Sequence, residues 1–219
     1  MSPPRKPISI PRRPGRPNQD AADLRQHLLD VALARFVSDG IGNTSLRSIA
    51  KAAGVTPALV SYYFGNRDLL VGAIFEERLM PVFAELLSML AGKNPDDLVR
   101  GFVEGMHRLV EYHPWLPVLW VREILNDGGA LRELLLTHIA PKLPQMLAAR
   151  FAEAQRAGHL NADLDPRLLM VSLIGLTLFP LAARPIWSRV FNASDIDNQQ
   201  LQKHTLALLE RGLENTHAP

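Results

Sequence analysis

The chain has 219 residues, 47% of them hydrophobic, with 24 Lys/Arg against 22 Asp/Glu and no cysteine. That length buries a core of one large or two small domains, and the missing cysteines exclude disulfides, thiolate catalysis and Cys-ligated zinc. No run has the length and purity of a membrane span and the N-terminus lacks a signal peptide's apolar core, so the expected location is the cytoplasm. Charge is divided unevenly: residues 1–68 hold ten Lys/Arg against five Asp/Glu, whereas residues 69–219 hold fourteen against seventeen. The basic end is the one suited to a polyanion.

Residues 1–20, MSPPRKPISIPRRPGRPNQD, are rich in proline and arginine and carry no core-forming pattern. Such a segment is expected to be a disordered basic arm. Arg12, Arg13 and Arg16 lie in Arg-Arg-Pro-Gly-Arg-Pro, which resembles the Gly-Arg-Pro core of AT-hook peptides that enter narrow minor grooves. The two readings are a solvated tail and an arm lying along DNA.

Leu24, Leu28, Val31, Ala32 and Phe36 then mark one face of a first helix, ended at Gly40. Residues 44–70, TSLRSIAKAAGVTPALVSYYFGNRDLL, follow. Leu46, Ile49, Ala50 and Ala53 recur at i, i+3, i+4 and i+7, one stripe on a short helix for which Thr44 is the expected N-cap. Gly54 stops it, since glycine enters the left-handed region without a Cβ penalty. Thr56 caps the next helix and Pro57 takes its first position, where a missing N–H is harmless. Val60 and Phe64 face inward, leaving Leu59, Ser61, Tyr62 and Tyr63 largely outside. Two helices joined by a tight glycine turn predict a helix-turn-helix with its second helix in the major groove.

Everything downstream reads as helix. One long helix is predicted over 68–91, another from Asn94-Pro95 to Tyr112, and a third from Trp115 to Asn126, broken by Asp127-Gly128-Gly129. A fourth over 131–157 is expected to kink at Pro141 and Pro144. Leu168–Ala183 is apolar almost all round, which predicts burial on every side, between the chain's own core and a second subunit. The last helix, Asp197–Asn215, places Leu206, Leu209 and Leu213 on one face. No β-alternation appears, so the predicted fold is all-α.

The helix-turn-helix residues resemble the tetracycline-repressor (TetR) family of bacterial transcriptional regulators. The family pattern T-x-x-x-I-A-x-x-A-G-V is matched from Thr44 through Ile49-Ala50 to Ala53-Gly54-Val55. Its aromatic ending and following basic-acidic-Leu step are matched by Tyr62-Tyr63-Phe64 and Arg67-Asp68-Leu69. Two positions depart, Ser61 where the family usually has Tyr and Arg67 where it usually has Lys. The Tyr-Tyr-Phe-Gly-x-Arg ending is also similar to a CecR-type branch, some members of which control efflux genes.

The resemblance implies a DNA-binding regulator, most simply a homodimeric repressor on a double-stranded pseudo-palindromic operator, released by a small, largely apolar ligand. The implied organisation is a basic arm over 1–20, a helix-turn-helix domain over 21–67 and an effector-binding and dimerisation domain over 68–219. Carried over residue by residue, the DNA contacts are Thr44, Ser45, Thr56, Pro57, Ala58, Leu59, Ser61, Tyr62, Tyr63 and Arg67, with Arg12, Arg13 and Arg16 from the arm. Leu59 is suited to a thymine methyl and Arg67 to a phosphate.

The implied ligand cavity lies between the middle helices, where Phe102, Met106, Tyr112, Trp115, Trp120, Arg122, Glu123 and His138 fall. Read without the family, the aromatics are core residues and Arg122–Glu123 is surface charge. The runner-up function is a regulator controlled by a protein partner or by no effector. No cofactor, metal, membrane or catalytic residue is implied. The enzyme alternative is a helical di-iron protein, suggested by Glu104–His107 and Glu214–His217, both Glu-x-x-His pairs.

Overall fold

Residues 17–94, 97–139 and 142–213 are described by a computed structural model, and among them every regular element is helical. Arg12, Arg13 and Arg16 lie outside this range. The first helix, α1 (Pro17–Asp39), already contains residues 17–20, so the boundary expected at 20/21 falls inside it. Leu28, Ala32 and Phe36 are fully buried along its inner face. Gly40, at φ +87°, ends it, and its N–H donates to the Phe36 carbonyl at 3.0 Å.

Next come α2 (Leu46–Ala52) and α3 (Pro57–Phe64). The turn between them is a Schellman closure: Val55 N–H donates to the Ala50 carbonyl and Gly54 N–H to that of Lys51, with Gly54 at φ +68°. The N-cap of α2 is Ser45, not Thr44. Ser45 and Ser48 form a reciprocal capping box, each side chain accepting from the other's backbone N–H at 3.1 Å. Thr44 is buried instead, its hydroxyl donating to the Gly40 carbonyl at 2.7 Å and closing the turn after α1.

The helix expected over 68–91 is one helical path in three pieces: α4 (Arg67–Ile74), a first π turn (Phe75–Leu79) and α5 (Met80–Leu90). Pro81 accounts for the π turn. It has no N–H to give the Glu77 carbonyl, which accepts instead from the Arg78 guanidinium at 3.1 Å. Next is α6 (Leu98–Tyr112), starting later than its Asn-Pro signal. A short α7 (Leu116–Leu119) runs directly into a second π turn (Trp120–Leu125). The helix expected over 131–157 is two helices, α8 (Arg132–His138) and α9 (Leu143–Arg156), with Pro144 in the first turn of the second. Proline starts a helix more readily than it bends one.

Then come α10 (Pro166–Ala182), α11 (Arg184–Val190) and α12 (Asn198–Leu213). Burial of α10 on every side does not hold within the single chain. Leu169, Met170, Leu173 and Leu178 are buried, but Leu168, Val171 and Phe179 are each more than 60% exposed. Among the described residues no single helix is long and apolar enough to cross a membrane, and the α10–α11 pair that passes on length and composition is bent by 70°.

Candidate DNA-reading face and ligand cavity

Two sites emerge, one on the helix-turn-helix and one among the helices that follow it. At the first, Val60 and Phe64 anchor α3 in the core, while Pro57, Ala58, Ser61 and Tyr62 point outward and Leu59 and Tyr63 are partly covered. The Thr56 hydroxyl caps the helix by accepting from Leu59 N–H at 3.3 Å. Tyr62 is 81% exposed, with its ring edge-on to that of Tyr63. A tyrosine this open on a helix held by two core anchors is available to an outside partner.

Of the DNA contacts implied by family resemblance, Ser45, Thr56, Pro57, Ala58, Leu59, Ser61, Tyr62, Tyr63 and Arg67 lie on or beside this face. Thr44 does not, being buried and engaged with Gly40. The Arg67 guanidinium donates to the Gly42 carbonyl at 3.3 Å, a long bond on a side chain that is still about half exposed. Arg47 and Lys51, exposed on α2, add two cations that the motif comparison passed over, because they fall at positions the pattern leaves free.

The second site is a cavity of about 450 Å³ walled by α5, α6, α7, the second π turn, α8, α9 and α10. Phe102, Met106 and Trp120, three of the residues in the implied ligand set, line it. So do Phe83, Leu86, Ala148, Met170 and Ile174, which the sequence presents simply as core. Gln145 and Arg167 are the polar side chains of the lining apart from the Trp120 indole. Arg167 is already paired with Asp165 at 2.5 Å, and that pair holds the Asp165 carboxyl well below its usual range. Walls of this kind suit an uncharged, mostly apolar molecule.

Five of the expected ligand residues, Tyr112, Trp115, Arg122, Glu123 and His138, lie elsewhere. Tyr112, the last residue of α6, is 72% exposed. Trp115 packs its ring 5.5 Å from that of His113. His138 is exposed, with Nδ1 2.9 Å from the Leu134 carbonyl and its ring 5.4 Å from that of Phe75.

Arg122 reaches away from the cavity to the end of α1. Its guanidinium donates to the carbonyls of Val37, Ser38 and Asp39, each at 3.1 Å. These are groups that a helix leaves unpaired at its C-terminus, where a cation is also favoured by the dipole. Glu123 is 6% exposed, and its carboxylate accepts from Ile41 N–H at 3.0 Å. Arg122 and Glu123 are therefore not surface charge but a junction between the two halves of the chain.

His107, of the Glu-x-x-His pair on α6, is buried with neither ring nitrogen hydrogen-bonded, and burial pushes its pKa down. Among the described residues no three His, Asp or Glu gather where a metal ion would be held; Glu214 and His217 lie outside them.

Two family profiles match the chain, that of bacterial regulatory proteins of the tetR family over residues 28–74 and that of the tetracyclin repressor-like C-terminal domain over 95–210. The chain belongs to the TetR family. BetI of Burkholderia ambifaria, a transcriptional regulator, is 31% identical over 164 residues, 69% of this chain and 83% of that one. The probable acrEF/envCD operon repressor of Escherichia coli K12 is 26% identical over 172 residues, 73% of this chain and 75% of the relative. With AcrR of Shigella flexneri identity rises to 47%, but over 58 residues that make up 27% of that protein. The fold of this TetR-family chain is also that of the ketosteroid transcriptional regulator KstR2 of Mycobacterium tuberculosis. That structure gives a TM-score of 0.72 at 21% identity, covering 93% of this chain and 100% of the other. The protein is a DNA-binding transcriptional regulator with an all-α fold.

Proposed function

We propose that this regulator is a cytoplasmic homodimeric repressor that leaves its operator when a small, largely apolar molecule enters the cavity beside Trp120. The observation that carries the reading is the pairing of the two sites: an outward-facing recognition helix, and a preformed apolar cavity in the domain joined to it. NalD of Pseudomonas aeruginosa, a repressor of a multidrug efflux pump with the same fold at a TM-score of 0.66, lends support to the repressor reading. Dimerisation follows from DNA geometry, because one helix-turn-helix makes few contacts and a two-fold pair reads two half-sites about 34–36 Å apart. Contacts to base edges are assigned to Pro57, Ala58, Leu59, Ser61 and Tyr62, and contacts to phosphates to Tyr63 and Arg67.

The test of the whole reading is reciprocity. Once an operator has been selected from random duplexes, the inducer must bind free protein more tightly than operator-bound protein, by the factor with which it weakens DNA binding. An effector that binds both forms equally is not the inducer, and the absence of any such ligand favours control by a protein partner or by none.

Arg67→Ala is expected to weaken binding about equally on all sequences and to lower the salt slope by roughly 1, as loss of one phosphate contact does. A changed sequence preference with an unaltered slope contradicts the phosphate role. Removal of residues 1–16, which carry Arg5, Lys6, Arg12, Arg13 and Arg16, is expected to leave a folded dimer with weaker operator affinity and a shallower salt dependence. Equal affinity at low salt makes that segment a tail without a DNA role.

A further inference from the structure

The cavity is not closed within the single chain. Three of its lining residues are exposed, Gln145 on α9 and Arg167 and Val171 on α10, while the others are buried or half-buried. Its mouth therefore lies between α9 and α10. Val171 belongs to two surfaces at once. It forms cavity wall, and at 65% exposure it also stands in the apolar stripe that α10 turns outward with Leu168 and Phe179. A ligand seated at this mouth in a lone chain keeps part of its apolar surface in water, which is unfavourable.

Leu168 and Phe179 stand at the two ends of the stripe, about three helical turns apart, with the exposed Ser172 and Gly175 between them. Small residues at that midpoint let two copies of α10 cross closely. An antiparallel crossing sets the N-terminus of each helix beside the C-terminus of the other, the favourable arrangement of their dipoles. Two-fold symmetry about the midpoint then brings each Phe179 over the Leu168–Val171 stretch of the other copy.

We infer that the ligand site is completed by a second copy of this chain, with the partner's Phe179 seated over Leu168 and Val171 as a roof on the cavity mouth. The inference rests on the apolar-ligand and dimer readings above and joins them. A ligand buries more of itself in the dimer than in the monomer, so by linkage it tightens the dimer. Covering on the order of 50 Å² more of an apolar ligand raises its affinity roughly tenfold. With two mouths per dimer, saturating ligand tightens the dimer by the square of that factor, about a hundredfold.

Sedimentation of a dilution series of the full chain, with and without N-phenyl-1-naphthylamine, measures this. The probe is uncharged and apolar, and its own fluorescence reports its binding. Saturating probe is expected to lower the dimer's dissociation constant about a hundredfold, and monomeric Phe179→Glu to bind the probe roughly tenfold more weakly than the parent dimer. Phe179→Ala, assayed where it sediments as a dimer, is expected to bind the probe several-fold more weakly than the parent. Parent-like affinity in that dimer overturns Phe179 as the roof. Equal probe affinity in dimer and monomer, or tighter binding to the monomer, overturns the shared site and leaves the cavity reading standing. Failure of the probe to bind at any protein concentration overturns the cavity reading and this inference with it. A parent that binds the probe but stays monomeric overturns the dimer reading and, again, this inference.

Discussion

Gly129→Ala is expected to destabilise the protein by about 2–3 kcal/mol, the range for forcing an extra carbon into a filled site. A Cβ on Gly129 comes within 2.3 Å of the Glu123 carbonyl oxygen and 2.5 Å of its carbon. Both are backbone atoms, so no side chain can rotate away. Relief requires the 126–131 turn to move off the second π turn, which breaks the 3.2 Å bond from Leu131 N–H to the same carbonyl. For a chain of this size the loss corresponds to a fall in melting temperature of roughly 5–10 °C.

The neighbouring Gly128→Ala is the control. Gly128 has open space around its missing Cβ but a φ of +79°, so the substitution costs about 1–2 kcal/mol of backbone strain and nothing from collision. Thermal unfolding of the two variants should therefore rank Gly129→Ala well below Gly128→Ala. The reverse order contradicts the steric account.

The contrast between these two glycines marks where sequence stops informing. In the sequence both are helix-breaking residues after Asp127, and nothing separates the one needed for its φ from the one needed for its missing carbon. The helix-turn-helix was readable because its determinants are local: a stripe at i, i+3, i+4 and i+7, a glycine stop and a proline at a first helical position. Even there the cap moved by one residue. Thr44 and Ser45 both carry hydroxyls, and the box partner is Ser48 rather than the Glu or Gln that makes such boxes conspicuous.

The cavity was half legible. Phe102, Met106 and Trp120 stand out by size, but Ala148, Met170 and Ile174 become lining residues only through the packing of α9 and α10 on α6. The family resemblance places Arg122 and Glu123 with the ligand set, since it puts the cavity between the middle helices that carry them. Their partners are backbone carbonyls and an amide far along the chain, and a main-chain partner leaves no residue type to notice. Both π turns were likewise invisible, since an extra residue in a turn leaves the apolar pattern nearly intact.

Phe179→Glu is expected to convert the protein to a monomer and to lower operator affinity by at least about a hundredfold. Phe179 is 64% exposed on α10, in line with Leu168 (63%) and Val171 (65%) and with the exposed Ser172 and Gly175, a stripe open along the helix. Leu208 on α12 and Ile186 and Val190 on α11 are exposed as well. A contiguous patch of this kind is costly in water and is ordinarily covered by a partner. In the isolated chain a glutamate at 179 projects into solvent, so the fold should tolerate it within about 0.5 kcal/mol.

In a two-fold dimer every substitution appears twice. Two carboxylates would then enter an apolar interface without cations to pair them, a cost of several kcal/mol, each 1.4 of which is tenfold in the dimer's dissociation constant. Operator affinity follows, because a monomer presents one recognition helix to a site built for two. Sedimentation equilibrium separates the outcomes: the parent at twice the 24.3 kDa of the chain and Phe179→Glu at 24.3 kDa, with equal helical content. A parent that sediments as a monomer removes the dimer from the proposed function. A variant that remains dimeric moves the interface off the α10 stripe, and the exposed apolar side chains of α11 become the next surface to charge.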